Sequence, residues 1–287
     1  VVKTHINTFH LPFLKMFKEY GWEVHVAAKN DFVDEPCVIP NCDRHFDIDF
    51  ARSPFSKSNI KAYKQLKQII ETNHYDIIHC HTPVAGVLTR LAARTAKGTT
   101  VIYTAHGFHF YQGAPLINWL VYYPVERVCG KFTDKLITVN QEDYHRANSW
   151  RLRNNGKIYY VPGIGVDLEE IQNISINKVQ KKKEIGISND VKVLLSVGEL
   201  NKNKNHEIII RVLSKLTNKN FIYLICGNGE LKEYLKNLAK ELGVSDKVKF
   251  LGYRKDVLEI YKIADLFLFP SKREGLPCSL IEAMACG

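Results

Sequence analysis

Nowhere in these 287 residues do about 18 apolar side chains run uninterrupted, so the sequence offers no candidate for a membrane-crossing helix. C-x-x-C pairs are missing too. The seven cysteines (Cys37, Cys42, Cys80, Cys129, Cys226, Cys278 and Cys286) are scattered and odd in number. That fits reduced thiols in a cytoplasmic protein. The dinucleotide fingerprint G-x-G-x-x-G does not occur, and CGNGEL at 226–231 lacks the third glycine. No segment recurs at a fixed period, which argues against a solenoid.

What is present describes a soluble globular chain. Apolar residues make up 45% and charged residues 24%, and the length suffices for two domains with separate cores. The formal charge of +10 admits three readings. Nucleic acid is not expected as a partner, because the lysines are spread out and no nucleic-acid motif accompanies them. An anionic membrane surface touched by a basic face fits. Plain solvated lysine fits as well, as in KVQKKKE at Lys178–Glu184.

Strand-like and helix-like patterns alternate along the chain. Residues 23–28, 77–80, 100–104, 135–139 and 158–161 read as strands, with helical patterns at 60–71, 84–96 and 116–128. A second series of strands begins at 191–197 and continues at 221–226, 248–251 and 266–269. Such alternation predicts an α/β fold of two doubly wound, Rossmann-like domains, with ligands at the carboxyl ends of the strands. Apolar periodicity lapses at 165–183, where glycine, asparagine and lysine are dense. The domains are therefore expected at 1–166 and 167–287. The opening VVKTHIN reads as the loop after a largely missing first strand, and Gly287 as a helix C-cap, so both ends are expected to be cut and the second domain incomplete.

The closing stretch, PSKREGLPCSLIEAMACG at 270–287, carries two glutamates eight positions apart around a Gly-Leu-Pro turn. A buried strand at 266–269 feeding that turn, with Pro277 as a first helical residue, predicts a helix N-terminus near 276–278 that attracts phosphate. A carboxylate one or two turns inside suits the hydroxyls of a sugar. This E-x7-E element followed by EAMACG resembles the donor-site signature of retaining glycosyltransferases of the GT-B fold, family 4 in the glycosyltransferase classification. SVGELNKNKNHEIII (196–210), ICGNGEL (225–231), VPGIGVD (161–167) and TAHGFHF (104–110) resemble further segments of that family, in its order. HTPVAGVLTRLAAR, TAHGFHFYQGAP and YYPVER are most similar to bacterial capsule and exopolysaccharide members.

The resemblance implies a GT-B architecture, its two domains facing a cleft. It also implies that Lys204 meets the donor diphosphate, Glu282 the ribose hydroxyls and Glu274 the transferred sugar. His106 would contact the reacting sugar or acceptor, and Gly227, Gly229, Gly275 and Leu276 would line the donor site. Each role has a plainer counterpart. Lys204 could be a solvated loop lysine, the glutamates could complement a helix dipole, and GNG could be only a tight turn. The family usually has an arginine where Glu199 stands, and Lys202 or Arg273 could supply that cation. His79, His81, His106 and His109 raise a metal reading, but no Asp or Glu joins them, so no metal is expected.

The implied reaction is retaining transfer from a nucleotide-diphosphate sugar to a hydroxyl acceptor on an undecaprenyl-type lipid. It would serve capsule or exopolysaccharide synthesis at the inner face of the cell membrane. No cofactor is expected, since protein cations and amides stabilise the departing diphosphate. The paired flanking carboxylates of retaining hydrolases are not evident. Two alternatives stand beside this reading: a sugar-nucleotide epimerase of similar build, and an inactive nucleotide-binding fragment.

Overall fold

The alternating apolar segments fold as parallel strands joined by helices, and the chain divides into two compact units, Val1–Ile164 and Gly165–Gly287. The computed structural model describes residues 2–31, 38–51, 53–163, 165–217 and 220–287. Cys37, and Ile164 of the VPGIGVD segment, lie outside the described residues.

Unit 1 runs α1 (Lys3–Phe9), α2 (Leu11–Glu19), β1 (His25–Ala28), β2 (Arg44–Asp47), α3 (Ser58–Asn73), β3 (Ile77–His81) and α4 (Pro83–Ala92). It continues with β4 (Thr100–Ala105), α5 (Leu116–Gly130), β5 (Lys135–Thr138), α6 (Gln141–Ala147) and β6 (Lys157–Tyr160). Strands β3, β4, β5 and β6 pair in that order as a parallel sheet, and β1 pairs with β2 as a separate parallel ribbon. The helical crossovers supply the long connections that parallel pairing needs. Val101, Tyr103 and Leu136 of the sheet are buried, and Phe108, Phe110 and Trp150 close one of the cores around it.

Unit 2 runs α7 (Leu168–Asn173), α8 (Lys178–Glu184), β7 (Lys192–Val197), α9 (His206–Leu213), β8 (Phe221–Cys226) and α10 (Lys232–Glu241). Then come β9 (Val248–Gly252), α11 (Val257–Ile263), β10 (Leu266–Phe267) and α12 (Cys278–Cys286). Its parallel sheet has the order β10-β7-β8-β9. Val193, Leu195, Leu224 and Ile225 have no exposed surface, as strands covered on both faces require.

The two sheets share one device. Asp134, just before β5, accepts the Val101 N–H of β4 at 2.8 Å. Asp265, just before β10, accepts the Val193 N–H of β7 at 2.8 Å. In each, a carboxylate extends the ladder by one rung and pins the register of the strand it precedes.

Five expectations need correction. Residues 3–9 form a helix rather than a loop, entered from a parallel bridge between Val2 and Lys29. The seam at 165–183 holds α7 and α8, capped by Asp167 and Asn177 side chains that accept N–H groups of Glu170 and Gln180. The lysine run of α8 is not wholly solvated: Lys181 is 7% exposed and reaches Asp256 and Glu259, each at 2.6 Å. Finally, β10 pairs over two residues rather than four, and Pro277 is the N-cap of α12 rather than its first residue. Among the described residues no helix is long and apolar enough to cross a membrane.

Candidate functional site

In unit 2 the chain leaves β7 at Gly198 and crosses a loop of alternating asparagines and lysines before α9. Each asparagine has a structural task. The Asn201 side-chain oxygen accepts the N–H groups of Asn203 and Lys204, at 3.0 and 2.9 Å. Asn203 donates to the Arg273 carbonyl at 2.8 Å, and Asn205 donates to that of Pro270 at 3.3 Å. Lys272 N–H returns a bond to the Asn203 carbonyl. The loop after β7 is thus fastened to the turn after β10. Within this frame Lys204 Nζ lies 2.8 Å from Glu274 Oε1, with both side chains about four-fifths buried. Asn201 Nδ2 donates to Glu199, which occupies the position where an arginine is usual.

A chain of buried polar groups underlies Lys204. His206 Nδ1 meets Tyr223 Oη at 3.3 Å, Tyr223 donates to Ser196 at 2.8 Å, and Ser196 donates to the Leu268 carbonyl at 2.6 Å. It ties α9, β8, β7 and the end of β10 together. Burial and the nearby Lys204 charge push His206 down to about 4, so it sits neutral. Polar Ser196 and Tyr223 inside apolar strands were the sequence signal for this network.

The glycines of CGNGEL hold two loops at backbone contact. A Cβ on Gly227, whose φ is +144°, would lie 1.9 Å from the Gly198 carbonyl oxygen. One on Gly229 would lie within 2.6 Å of Leu200 backbone atoms. Leu200 N–H bonds the Asn228 carbonyl, and Leu231 N–H bonds that of Leu200. Gly198 in turn leaves room for the Lys204 stem, 3.2 Å from where its own Cβ would be.

Glu282 lies within α12 and accepts from Tyr261 Oη at 3.0 Å; the same hydroxyl lies 3.0 Å from the Ser279 carbonyl. Burial raises the Glu282 carboxyl. Cys278, the first residue of α12, links the parts: burial and Glu282 raise its thiol, and Lys204 and Glu274 act on it too. The helix N-terminus therefore has the Lys204–Glu274 pair on one side and Glu282 one turn inward. Gly275 and Leu276 form the turn that leads into it.

In unit 1, His106 follows β4 and is brought together with four other histidines. His81 Nδ1 lies 3.2 Å from His106 Nε2, and His79 and His81 rings sit 4.2 Å apart on one face of β3. His10 packs on His81 at 4.4 Å, and His5 approaches both His10 and His106. His109 does not join them; its ring stacks on Tyr122. Burial, then neighbouring imidazoles, lower His5 and His10 to about 4, and burial lowers His106 as well. The turn carrying His106 is fixed by Asp143, which accepts Phe108 N–H and Asn140 Nδ2, each at 2.8 Å. His5 and His10 were missed in sequence because α1 was read as a loop. Among the described residues no three His, Cys, Asp or Glu side chains form a group able to hold a metal ion.

Comparison with known proteins bears on the family and the fold. Residues 1–140 match the family described as glycosyl transferase 4-like, and residues 177–287 match glycosyl transferases group 1. The chain is 44% identical over 289 residues to glycosyltransferase EpsD of Bacillus subtilis (strain 168), covering 99% of this chain and 74% of that protein. It is 34% identical over 237 residues to the UDP-Gal:alpha-D-GlcNAc-diphosphoundecaprenol alpha-1,3-galactosyltransferase of Escherichia coli, covering 80% of this chain and 60% of the relative. The crystal structure of Anabaena Alr3699/HepE with UDP and glucose superposes with a TM-score of 0.73 at 21% identity, over 96% of this chain and 74% of that one. WaaG, a glycosyltransferase of lipopolysaccharide biosynthesis, superposes at 0.72 and 19%, over 97% and 76%. These structures share the fold.

Proposed function

The chain belongs to the glycosyltransferases of the GT-B fold, and on that premise we propose that it moves a sugar from a nucleotide-diphosphate donor to a hydroxyl acceptor with retention. The observation that carries this reading is the Lys204–Glu274 pair at 2.8 Å beside the N-terminus of α12. Here Glu274 pairs with Lys204. An arriving diphosphate offers more negative charge than one carboxylate, so Lys204 turns to it and Glu274 is released to accept hydroxyls of the sugar. As the glycosidic bond lengthens, charge grows on the diphosphate, and Lys204 and the free N–H groups of α12 stabilise it most in the transition state. Glu282 takes the ribose hydroxyls. His106 stands in unit 1 as the contact for the transferred sugar or the acceptor.

The Escherichia coli relative is named for a UDP-linked donor and a diphosphoundecaprenol acceptor, which supports a nucleotide sugar and a lipid-diphosphate acceptor here. The test is nucleotide release from a panel of nucleotide sugars, with and without short-chain polyprenyl-diphosphate sugars. Release that depends on acceptor and yields an unchanged anomeric configuration by NMR is expected. Epimerised sugar nucleotide without acceptor, or inversion at the anomeric carbon, would overturn the proposal.

A further inference from the structure

The alternation of side chains along a strand brings three histidines of unit 1 to one face of its sheet. His79 and His81 stand two apart on β3 and pair in register with Ile102 and Thr104 of β4, so all four side chains share a face. His106 is the next place in that alternation, just past the end of β4. Thr104 fixes His79, its Oγ1 lying 2.8 Å from His79 Nε2. His81 is buried, with the His79 ring at 4.2 Å and the His10 ring at 4.4 Å.

These surroundings decide the charge of His81. Burial, then the imidazoles of His79, His10, His106 and His5, drive it far below the ordinary imidazole range, so it stays neutral. Burial lowers His106 as well. A neutral imidazole carries one N–H and one lone pair. The 3.2 Å contact between His81 Nδ1 and His106 Nε2 therefore needs one ring to donate and the other to accept. The two tautomers are linked: a proton on the facing nitrogen of either ring requires a lone pair on the other. Nδ1 of His106 bonds nothing else among the described residues, and the ring is half-buried, so that nitrogen is left for a substrate. A ring that only filled space could be phenylalanine. What the imidazole of His81 adds is a directed bond to its neighbour.

We propose that His81 is a positioning residue, which holds the His106 ring in one tautomer and one orientation, with Nδ1 of His106 presented to the reacting sugar or acceptor. The contact with sugar or acceptor rests on the function proposed above; the lock between the two rings does not. Three variants separate the bond from the bulk. His81→Phe keeps a ring of similar size without a nitrogen. His81→Asn places an amide where Nδ1 stood, and His81→Gln places it where Nε2 stood. Imidazole 15N NMR at neutral pH reads the tautomer, with His106 assigned from the signals missing in His106→Gln. The parent should show His106 in a single tautomer, kept in His81→Asn and replaced by a mixture in His81→Phe and His81→Gln. In acceptor-dependent transfer, kcat should fall on the order of 100-fold in His81→Phe and His81→Gln, as misplacement by about 1 Å does elsewhere. The KM for nucleotide sugar should change little, and His81→Asn should recover most of the rate. A His81→Phe protein, folded by circular dichroism, that keeps the parent's kcat or its single tautomer would overturn the proposal. So would a parent whose His106 already populates both tautomers. If His81→Phe does not fold, His81→Gln against His81→Asn decides in the same way. If the parent transfers no sugar, the function proposed above fails, while the tautomer result still decides the lock.

Discussion

At the residue scale, the fourth residue of NKNKN, Lys204, is held by its neighbours where the proposed function needs a cation. Replacing Lys204 with Ala is expected to lower kcat by roughly 10²- to 10³-fold, as loss of one transition-state donor does elsewhere. Nucleotide affinity should fall much less, which isothermal titration of the diphosphate would check. Glu282→Gln removes a charge-assisted hydrogen bond worth about 1.5–3 kcal/mol, so nucleotide should bind roughly 10- to 100-fold more weakly. An unchanged Kd in that folded variant would take Glu282 out of the ribose site. Lys204, Glu274 and Glu282 were legible because the turn, the strand before it and the helix after it all left marks in sequence. Asn203 and Asn205 were not, because their partners on the 270–273 turn lie 70 and 65 residues away.

At the scale of elements, close backbone contact explains why two loops tolerate only glycine. Gly227→Ala places a methyl carbon on the Gly198 carbonyl, which cannot retreat without moving Lys204. The expected loss is roughly 1–3 kcal/mol of stability, read as a lowered Tm, with a larger fall in activity. Gly243→Ala, where nothing lies within 4 Å, should cost only the left-handed backbone strain, about 1–2 kcal/mol, and leave activity intact. Strand positions were readable from apolar runs, and Phe221–Cys226 falls where those runs place it. The strand Arg44–Asp47 was invisible, since RHFD has neither an apolar run nor alternation and pairs with β1 on one side alone.

For the whole molecule, the buried histidines set an acid limit. His5, His10 and His206 are held near 4 by burial, against 6.5 for an ordinary imidazole. Between those values the unfolded chain takes up protons that the folded chain refuses, so stability is full above about pH 6.5 and falls as pH drops toward 4. Thermal melts across that window should show Tm falling, and His10→Gln should flatten the acid limb. A Tm independent of pH between about 7 and 5 would mean these rings are solvated. The two-unit α/β fold was legible because each unit repeats strand and helix many times over. Of the histidine cluster, His79, His81 and His106 were grouped from strand order, whereas His5 and His10 were not, since their place in it depends on how the first two helices meet β3, a contact no local pattern announces.

The order of strands carries a consequence for how the nascent chain matures. In the four-stranded sheet of unit 1 each strand lies beside the one synthesised just before it, so that sheet can grow as the polypeptide emerges. In unit 2, β7 waits through β8 and β9 for β10, and the Ser196–Leu268 bond spans 72 residues. Non-local closure of this kind is slow. The turn bearing Glu274 therefore reaches Lys204 only once β10 has been made, and until then a ribosome-bound chain holds β7 with that edge bare, the opening a chaperone is suited to cover.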